Sequence, residues 1–384
     1  MSDGLPPPLS TPPIAGASDA AVNTTLKPHR RRSSTGLWIL GVAGLVVTAA
    51  VALVAVGVFQ SGWEANLLTS GSHHGPGRLR ETVLEDNDAA HKILIMDIDG
   101  VISGRSAGSS GSLVEDLRDQ LERASEDEKI RAVVLRVDSP GGEVLASDEI
   151  HDAIRSFQDE HDIPVVAAMG SLAASGGYYV SAPCRWIVAH PLTLTGSIGV
   201  IFHGYNYRGL MDKVGVLPDV VKSGKLKDMF SGEQRPEDVL PEEKRILNDL
   251  VQESFTRFKT VVREGRTAAA EKNKKAGIDA GRALSPEWEG LADGRILSGI
   301  QAHQAGLVDE LGDFQKAVSR AKSLAGITEA DLISYESPHS FEDFLGLLGK
   351  SGVSGRVRLE VPGFLPQGTL KPGLLYFISP LHAH

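Results

Sequence analysis

The chain has 384 residues, enough for one large or two medium domains with an ample core. Its formal net charge of −10 leaves no global basic field to hold a nucleic acid. The single cysteine, Cys184, excludes an intrachain disulfide and a cysteine-rich metal site, and its turn, Ser181-Ala182-Pro183-Cys184-Arg185-Trp186, reads as structural.

Residues 1–36 are rich in Pro, Ser, Thr and Ala and read as a disordered tail. Leu37 to Phe59 is an apolar run without a charge, long enough to cross a bilayer as one helix. The basic cluster His29-Arg30-Arg31-Arg32 just before it predicts a cytoplasmic N-terminus and an extracytoplasmic body. A cleaved signal peptide fits less well, because the leader is long and no small-x-small site follows. Residues 60–90 read as a juxtamembrane linker. Its His73 and His74 lie in a Gly/Pro loop without further ligands, so no metal site is predicted.

From Lys92 strands and helices alternate. Predicted strands are 93–98, 132–137, 163–169, 186–189 and 219–222, with a last one near 332–334. Ser112 can cap a helix with Leu113, Leu117 and Leu121 on its apolar face. Further helices are predicted from about 143 to 158, 241 to 263 and 314 to 324. Such spacing implies parallel crossovers with helices on the faces of a sheet. The body is placed at 91–335. Residues 336–384 are interrupted by Gly and Pro but keep an apolar patch at Leu374-Leu375-Tyr376-Phe377-Ile378, and the sequence leaves open whether this tail docks.

The most telling stretch is Gly170-Ser171-Leu172-Ala173-Ala174-Ser175-Gly176-Gly177-Tyr178-Tyr179. A serine between small residues, where a strand ends and a helix begins, presents its hydroxyl to a closely approaching substrate. The new helix start supplies free N–H groups for a developing oxyanion. Ser171 and Ser181 lack that setting. Taken singly, Ser-Gly-Gly reads as a flexible cap and Ser139-Pro140-Gly141-Gly142 as a tight turn.

Together the motifs resemble the signal peptide peptidase SppA family, membrane-anchored Ser/Lys proteases. The matching pieces, in order, are Asp138-Ser139-Pro140-Gly141-Gly142, the stretch around Ser175, Leu194-Thr195-Gly196-Ser197-Ile198-Gly199-Val200, and Ser223-Gly224-Lys225-Leu226-Lys227-Asp228. A fifth begins at Ala292-Asp293-Gly294-Arg295 and runs on to Gly306-Leu307-Val308-Asp309-Glu310-Leu311-Gly312. The resemblance covers residues 91–335. It implies an α/β, Clp-protease/crotonase-like fold of repeated β-β-α superhelical units, preceded by one transmembrane helix.

The resemblance further implies Ser175 as nucleophile, Lys227 as general base and Ser197 as the hydroxyl that orients the lysine. It gives Gly142 and Gly176 as oxyanion-hole donors. Spacing alone does not select Lys227 over Lys222 or Lys225. The implied substrates are signal-peptide remnants and other short or unfolded peptides. The implied assembly is a homo-oligomer, an octamer for single-copy members, in which Ser175 of one subunit meets Lys227 of the next. No metal, nucleotide or other cofactor is implied.

A charged lysine, with its ordinary pKa near 10.4, cannot take a proton from serine, so Lys227 needs an apolar setting. Leu226, Met229 and Phe230 are the expected source. Asp228 would restore the charge if it reached the amine, and is expected to bond elsewhere. Residues 268–283 read as an inserted surface loop. A Ser-His-Asp protease with His190 or His203 as base, a silent membrane scaffold, and acyl-CoA chemistry of the crotonase type are the competing readings. Export of the body away from cytoplasmic CoA argues against the last.

Overall fold

A computed structural model describes residues 79–104, 112–279, 281–336 and 375–378. The predicted tail 1–36, the apolar run 37–59, most of the linker with His73 and His74, and most of 336–384 lie outside them. Among the described residues no helix is long and apolar enough to cross a membrane.

In chain order the first half holds β1 (Arg80–Glu85), β2 (Lys92–Asp99), α1 (Leu113–Glu126), β3 (Ile130–Ser139), β4 (Gly141–Glu143), α2 (Val144–His161), β5 (Val165–Ala174), α3 (Gly176–Ser181), β6 (Trp186–Ala189), β7 (Leu194–Gly196) and β8 (Ile201–Phe202). The second half holds α4 (Arg208–Val214), α5 (Pro241–Lys275), β9 (Ile296–Ser298), α6 (Gly299–Gln304), β10 (Glu310–Leu311), α7 (Phe314–Ala325), β11 (Asp331–Glu336) and β12 (Leu375–Ile378).

The main sheet runs β1-β11-β2-β3-β5-β6-β10, with β7 beside the far end of β5 and β9 beside β7. Strands β11 to β10 along that path are parallel, and β1 closes one edge antiparallel. A parallel sheet must be covered on both faces, and alternate residues divide accordingly. Leu94, Met96, Val133 and Leu135 pack into a core with α1, α2 and α3. Ile93, Ile95, Ala132 and Val134 pack into a second core with Ala317, Val318 and Ala321 of α7. That double burial is why residues 93–96 and 132–135 read as unbroken apolar runs. A separate three-stranded sheet, β4-β12-β8, is antiparallel throughout.

Three sequence expectations are corrected. Residues 219–222 form no strand; they are an exposed loop, with Val221 96% exposed. β-branched residues become a strand only against a partner edge, and this segment has none among the described residues. The helix expected to stop near Arg263 continues to Lys275, so the inserted loop shortens to residues after it. Ala269 and Asn273 are buried, and Asn273 accepts a hydrogen bond from the Arg185 guanidinium, which anchors the extension. β5 runs past Met169 to Ala174, because Leu172–Ala174 pair with Leu194–Gly196 of β7. Cys184 is structural as expected: it is fully buried, and burial pushes its thiol up to about 12.

Candidate active site

The extension of β5 sets the position of Ser175. Its N–H donates to the Gly196 carbonyl at the end of β7 (2.8 Å), and its carbonyl accepts from Tyr179 N–H (2.8 Å), which starts α3. Between these two bonds the backbone is forced to φ +56°, ψ −116°, a region almost reserved for glycine. Such a conformation costs on the order of 1–3 kcal/mol and persists only where its surroundings over-determine it. Ser175 is 1% exposed, and its Oγ has no hydrogen-bond partner among the described residues. An unpaired buried hydroxyl costs about 1–3 kcal/mol more. Strain and an unsatisfied hydroxyl therefore coincide on one residue.

The nearby serines differ. Ser181 donates to the Gly177 carbonyl (2.8 Å), and Ser139 to the Gly100 carbonyl (2.6 Å). Ser171 is exposed and lines a separate cavity of about 860 Å³ with Asp138 and His190.

The structure brings Gly142 and Gly176 together beside Ser175. A Cβ placed on Gly176 would lie 2.7 Å from Ser147 Oγ and 3.0 Å from Gly142 N, so only glycine lets the two backbones meet. At Gly142 the added carbon would strike the Ile102 carbonyl oxygen at 1.8 Å. Ile102 holds this turn from outside: its N–H donates to Gly141 O (2.9 Å), and its carbonyl accepts from Glu143 N–H (2.8 Å). Ser197 lies next to Gly196, buried, at φ +49°, its N–H bound to the Arg295 carbonyl (2.8 Å).

Lys227 is not brought to Ser175. It is exposed in a turn where its N–H donates to Gly224 O (3.2 Å), and the expected covering by Leu226, Met229 and Phe230 is absent. Those neighbours are partly exposed themselves: Phe230 meets only the edge of the body at the Phe202 ring (5.2 Å), and none of the three belongs to a buried core among the described residues. Asp228 does bond elsewhere: Lys222 Nζ donates to both its oxygens (2.7 and 2.8 Å), which pulls its carboxyl below the usual range. Lys225 pairs with Glu242 (2.6 Å). Neither histidine considered as an alternative base bonds Ser175: His190 accepts from Leu192 N–H (3.2 Å), and His203 lies against the Tyr205 ring (4.7 Å).

Sequence reasoning missed the apolar chamber behind Ser175. Tyr179, one turn along α3, packs against Phe258 of α5 (ring centroids 4.9 Å). Its hydroxyl donates to Asp148, which also takes the Arg257 guanidinium (3.0 Å). Burial and that carboxylate raise the Tyr179 phenol well above its usual range, so the ring is neutral and fixed. Tyr179 stood inside a quoted motif, but nothing local marks Phe258 as its partner.

Two family descriptions match the chain: peptidase family S49 over residues 158–328 and Clp protease over 107–197. Both include the segment from Ser175 to Ser197. The α/β fold is thus Clp-protease-like. A signal peptide peptidase SppA of Enterococcus faecium is 35% identical over 268 residues, 69% of this chain and 72% of the relative. Protease slr0021 of Synechocystis is 40% identical over 215 residues, 56% of this chain and 70% of its own. Protease 4 of Salmonella typhi is 33% identical over 243 residues, 63% of this chain but 35% of that longer protein.

Proposed function

Because the chain belongs to peptidase family S49 and is a serine-type peptidase, we propose that Ser175 is its nucleophile and Lys227 of a neighbouring subunit its base. The observation that carries the first half is the strained, buried, partnerless Ser175 hydroxyl beside Gly142 and Gly176. The second half is supported by the arm that bears Lys227. Leu217 is 76% exposed and Val221 96% exposed, with Leu210, Val214 and Val220 also uncovered. An apolar surface of this kind fits a second copy of the chain.

In the proposed reaction Ser175 Oγ adds to a peptide carbonyl while the neutral Lys227 amine takes its proton. The Gly142 and Gly176 N–H groups hold the oxyanion, each worth about 3 kcal/mol in sites of this type. Lys227 then protonates the leaving amine, and water frees the acyl-enzyme. Ser197, adjacent to the Gly196 carbonyl that holds Ser175, orients the incoming amine. Covering the arm surrounds Lys227 with apolar side chains, while Lys222 keeps the Asp228 carboxylate occupied. Catalysis and assembly are thus one event.

The same reading makes residues 37–59 an uncleaved membrane anchor with the body on the extracytoplasmic side, and the assembly a ring of eight. Short or unfolded peptides, signal-peptide remnants among them, are the proposed substrates, in keeping with the name of the Enterococcus relative.

Mixing two dead variants tests the shared site. Ser175→Ala and Lys227→Ala should each be inactive alone. Random co-assembly should restore about a quarter of wild-type peptide hydrolysis, since that fraction of head-to-tail interfaces joins an intact serine to an intact lysine. A mixed oligomer, verified by light scattering, that stays inactive would rule the shared site out. An active Lys227→Ala would move the base to His190 or His203.

A further inference from the structure

We propose that Asp138 is a positioning residue: its carboxylate ties the strand that delivers Ser175 to the strand that delivers the oxyanion-hole turn. The inference rests on the reading of Ser175 as nucleophile. It starts from a break in the ladder between β3 and β5. Val137 pairs with Met169 and Ser139 with Ala173, so β5 advances four residues while β3 advances two. Gly170, Ser171 and Leu172 stand out opposite Asp138 as a bulge, a feature uncommon between parallel strands. The other side of β5 changes neighbours at the same point: Met169 pairs with Ala189 of β6, and Leu172 with Leu194 of β7. A bulge re-aims whatever follows it. Here Ser175 follows Leu172 by three residues, about 10 Å of extended chain.

Two side chains fix the bulge, one on each flank. Asp138 Oδ1 accepts from Leu172 N–H (3.0 Å). On the opposite flank Thr193, 1% exposed, donates through Oγ1 to the Gly170 carbonyl (2.7 Å). Gly170 leaves room for the carboxylate: a Cβ there would lie 2.9 Å from Asp138 Cγ and 3.0 Å from its Oδ2. The main chain of Asp138 is held as well. Its carbonyl accepts from Gly100 N–H (3.0 Å), while Ser139 beside it donates to Gly100 O (2.6 Å) and accepts from Gly141 N–H (3.0 Å). Gly142, a proposed oxyanion donor, comes next in that turn. One residue thus has its backbone locked to the oxyanion turn and its side chain locked to the nucleophile strand.

That span sets the distance between the Ser175 hydroxyl and the Gly142 N–H, and catalysis by such donors depends steeply on placement. Asp138 is exposed and lines the cavity of about 860 Å³, so water takes over the Leu172 N–H when the carboxylate is removed. Water satisfies the donor without joining β5 to β3. Removing the carboxylate is therefore a small loss to the fold and a large one to the geometry of the site. The part Asp138 plays is that of an acceptor on a short stem, and Asn supplies the same oxygen without the charge.

The test uses the full chain with Asp138→Ala, Asp138→Asn and Gly170→Ala, assayed on a fluorogenic apolar peptide, with Ser175→Ala as reference. Asp138→Ala should lower kcat by about 10- to 100-fold with KM little changed, because a misplacement near 1 Å costs about that much. A peptide boronate, whose tetrahedral adduct needs both the serine and the oxyanion donors, should lose affinity for Asp138→Ala in step with kcat. The matching peptide amide, which needs only the groove, should bind as it does to wild type. Asp138→Asn should restore kcat and boronate affinity. Gly170→Ala, whose methyl displaces the carboxylate, should lower kcat on its own and add little to Asp138→Ala. Unchanged kcat and boronate affinity in Asp138→Ala, equal losses for boronate and amide, or failure of Asp138→Asn to restore activity overturns the proposal and leaves Ser175 in place. Hydrolysis by Ser175→Ala at the wild-type rate removes the nucleophile reading, and this inference with it.

Discussion

Ser175→Ala should reduce peptide hydrolysis by roughly 10⁴-fold or more, the scale on which serine hydrolases depend on their nucleophile. The protein should meanwhile keep or raise its melting temperature. The lost hydroxyl has no hydrogen bond to forfeit, and its burial was a cost. Ser175→Gly should go further, because glycine adopts φ +56° without the steric conflict that a Cβ brings. Relief of about 1–3 kcal/mol of strain outweighs the roughly 0.5–1 kcal/mol that glycine loses through the flexibility of the unfolded chain. Activity and thermal melts read on the same preparations decide the matter. If both substitutions destabilise the fold, Ser175 is a structural cap and the strain argument is wrong.

Arg266→Met should destabilise the body by about 3–5 kcal/mol, the usual result of stripping one partner from a buried ion pair. Arg266 and Asp309 side chains are 2% and 3% exposed and meet at 2.5 Å. The same guanidinium donates to the carbonyls of Cys184 (2.8 Å) and Ala182 (3.2 Å), just past the end of α3. Asp309 in turn accepts from Ile187 N–H (2.8 Å) in β6. One contact therefore joins α5, the helix that follows Ser175 and the approach to β10. Pairing Arg266→Met with Asp309→Asn should cost less than the two substitutions added, since no charge is then stranded. Urea melts of the three variants measure this coupling, and simple additivity would show that the pair acts as two unrelated side chains.

The parallel core and the Ser175 turn were legible because each leaves a local signature. Residues 93–96 and 132–135 are apolar without a break, as strand segments buried on both faces must be. Small residues around Ser175 announce a crowded turn. What failed was whatever depends on surfaces distant in sequence. Lys227 was expected to be buried by its neighbours in the chain, yet Leu226, Met229 and Phe230 belong to neither buried core among the described residues and leave it exposed. Val220 and Val221 suggested a strand for want of any sign that no edge was available. The polar run Glu271-Lys272-Asn273-Lys274-Lys275 resembled a loop because only one of its residues, Asn273, is buried, and its partner Arg185 lies far up the chain. The docking of Phe377 was undecidable for the same reason: its chamber is assembled from α3 and α5, and neither advertises the other.

The clamp on Ser175 also dictates when the enzyme can come into being. The Gly196 carbonyl that holds the Ser175 turn belongs to β7, and β7 is braced on its free side by β9, in the register Leu194↔Ser298 to Gly196↔Ile296. About 120 residues of translation, at about 5–20 residues per second, separate the serine from that brace. A ribosome-bound or prematurely terminated chain thus carries Ser175 without the brace that fixes its strained turn.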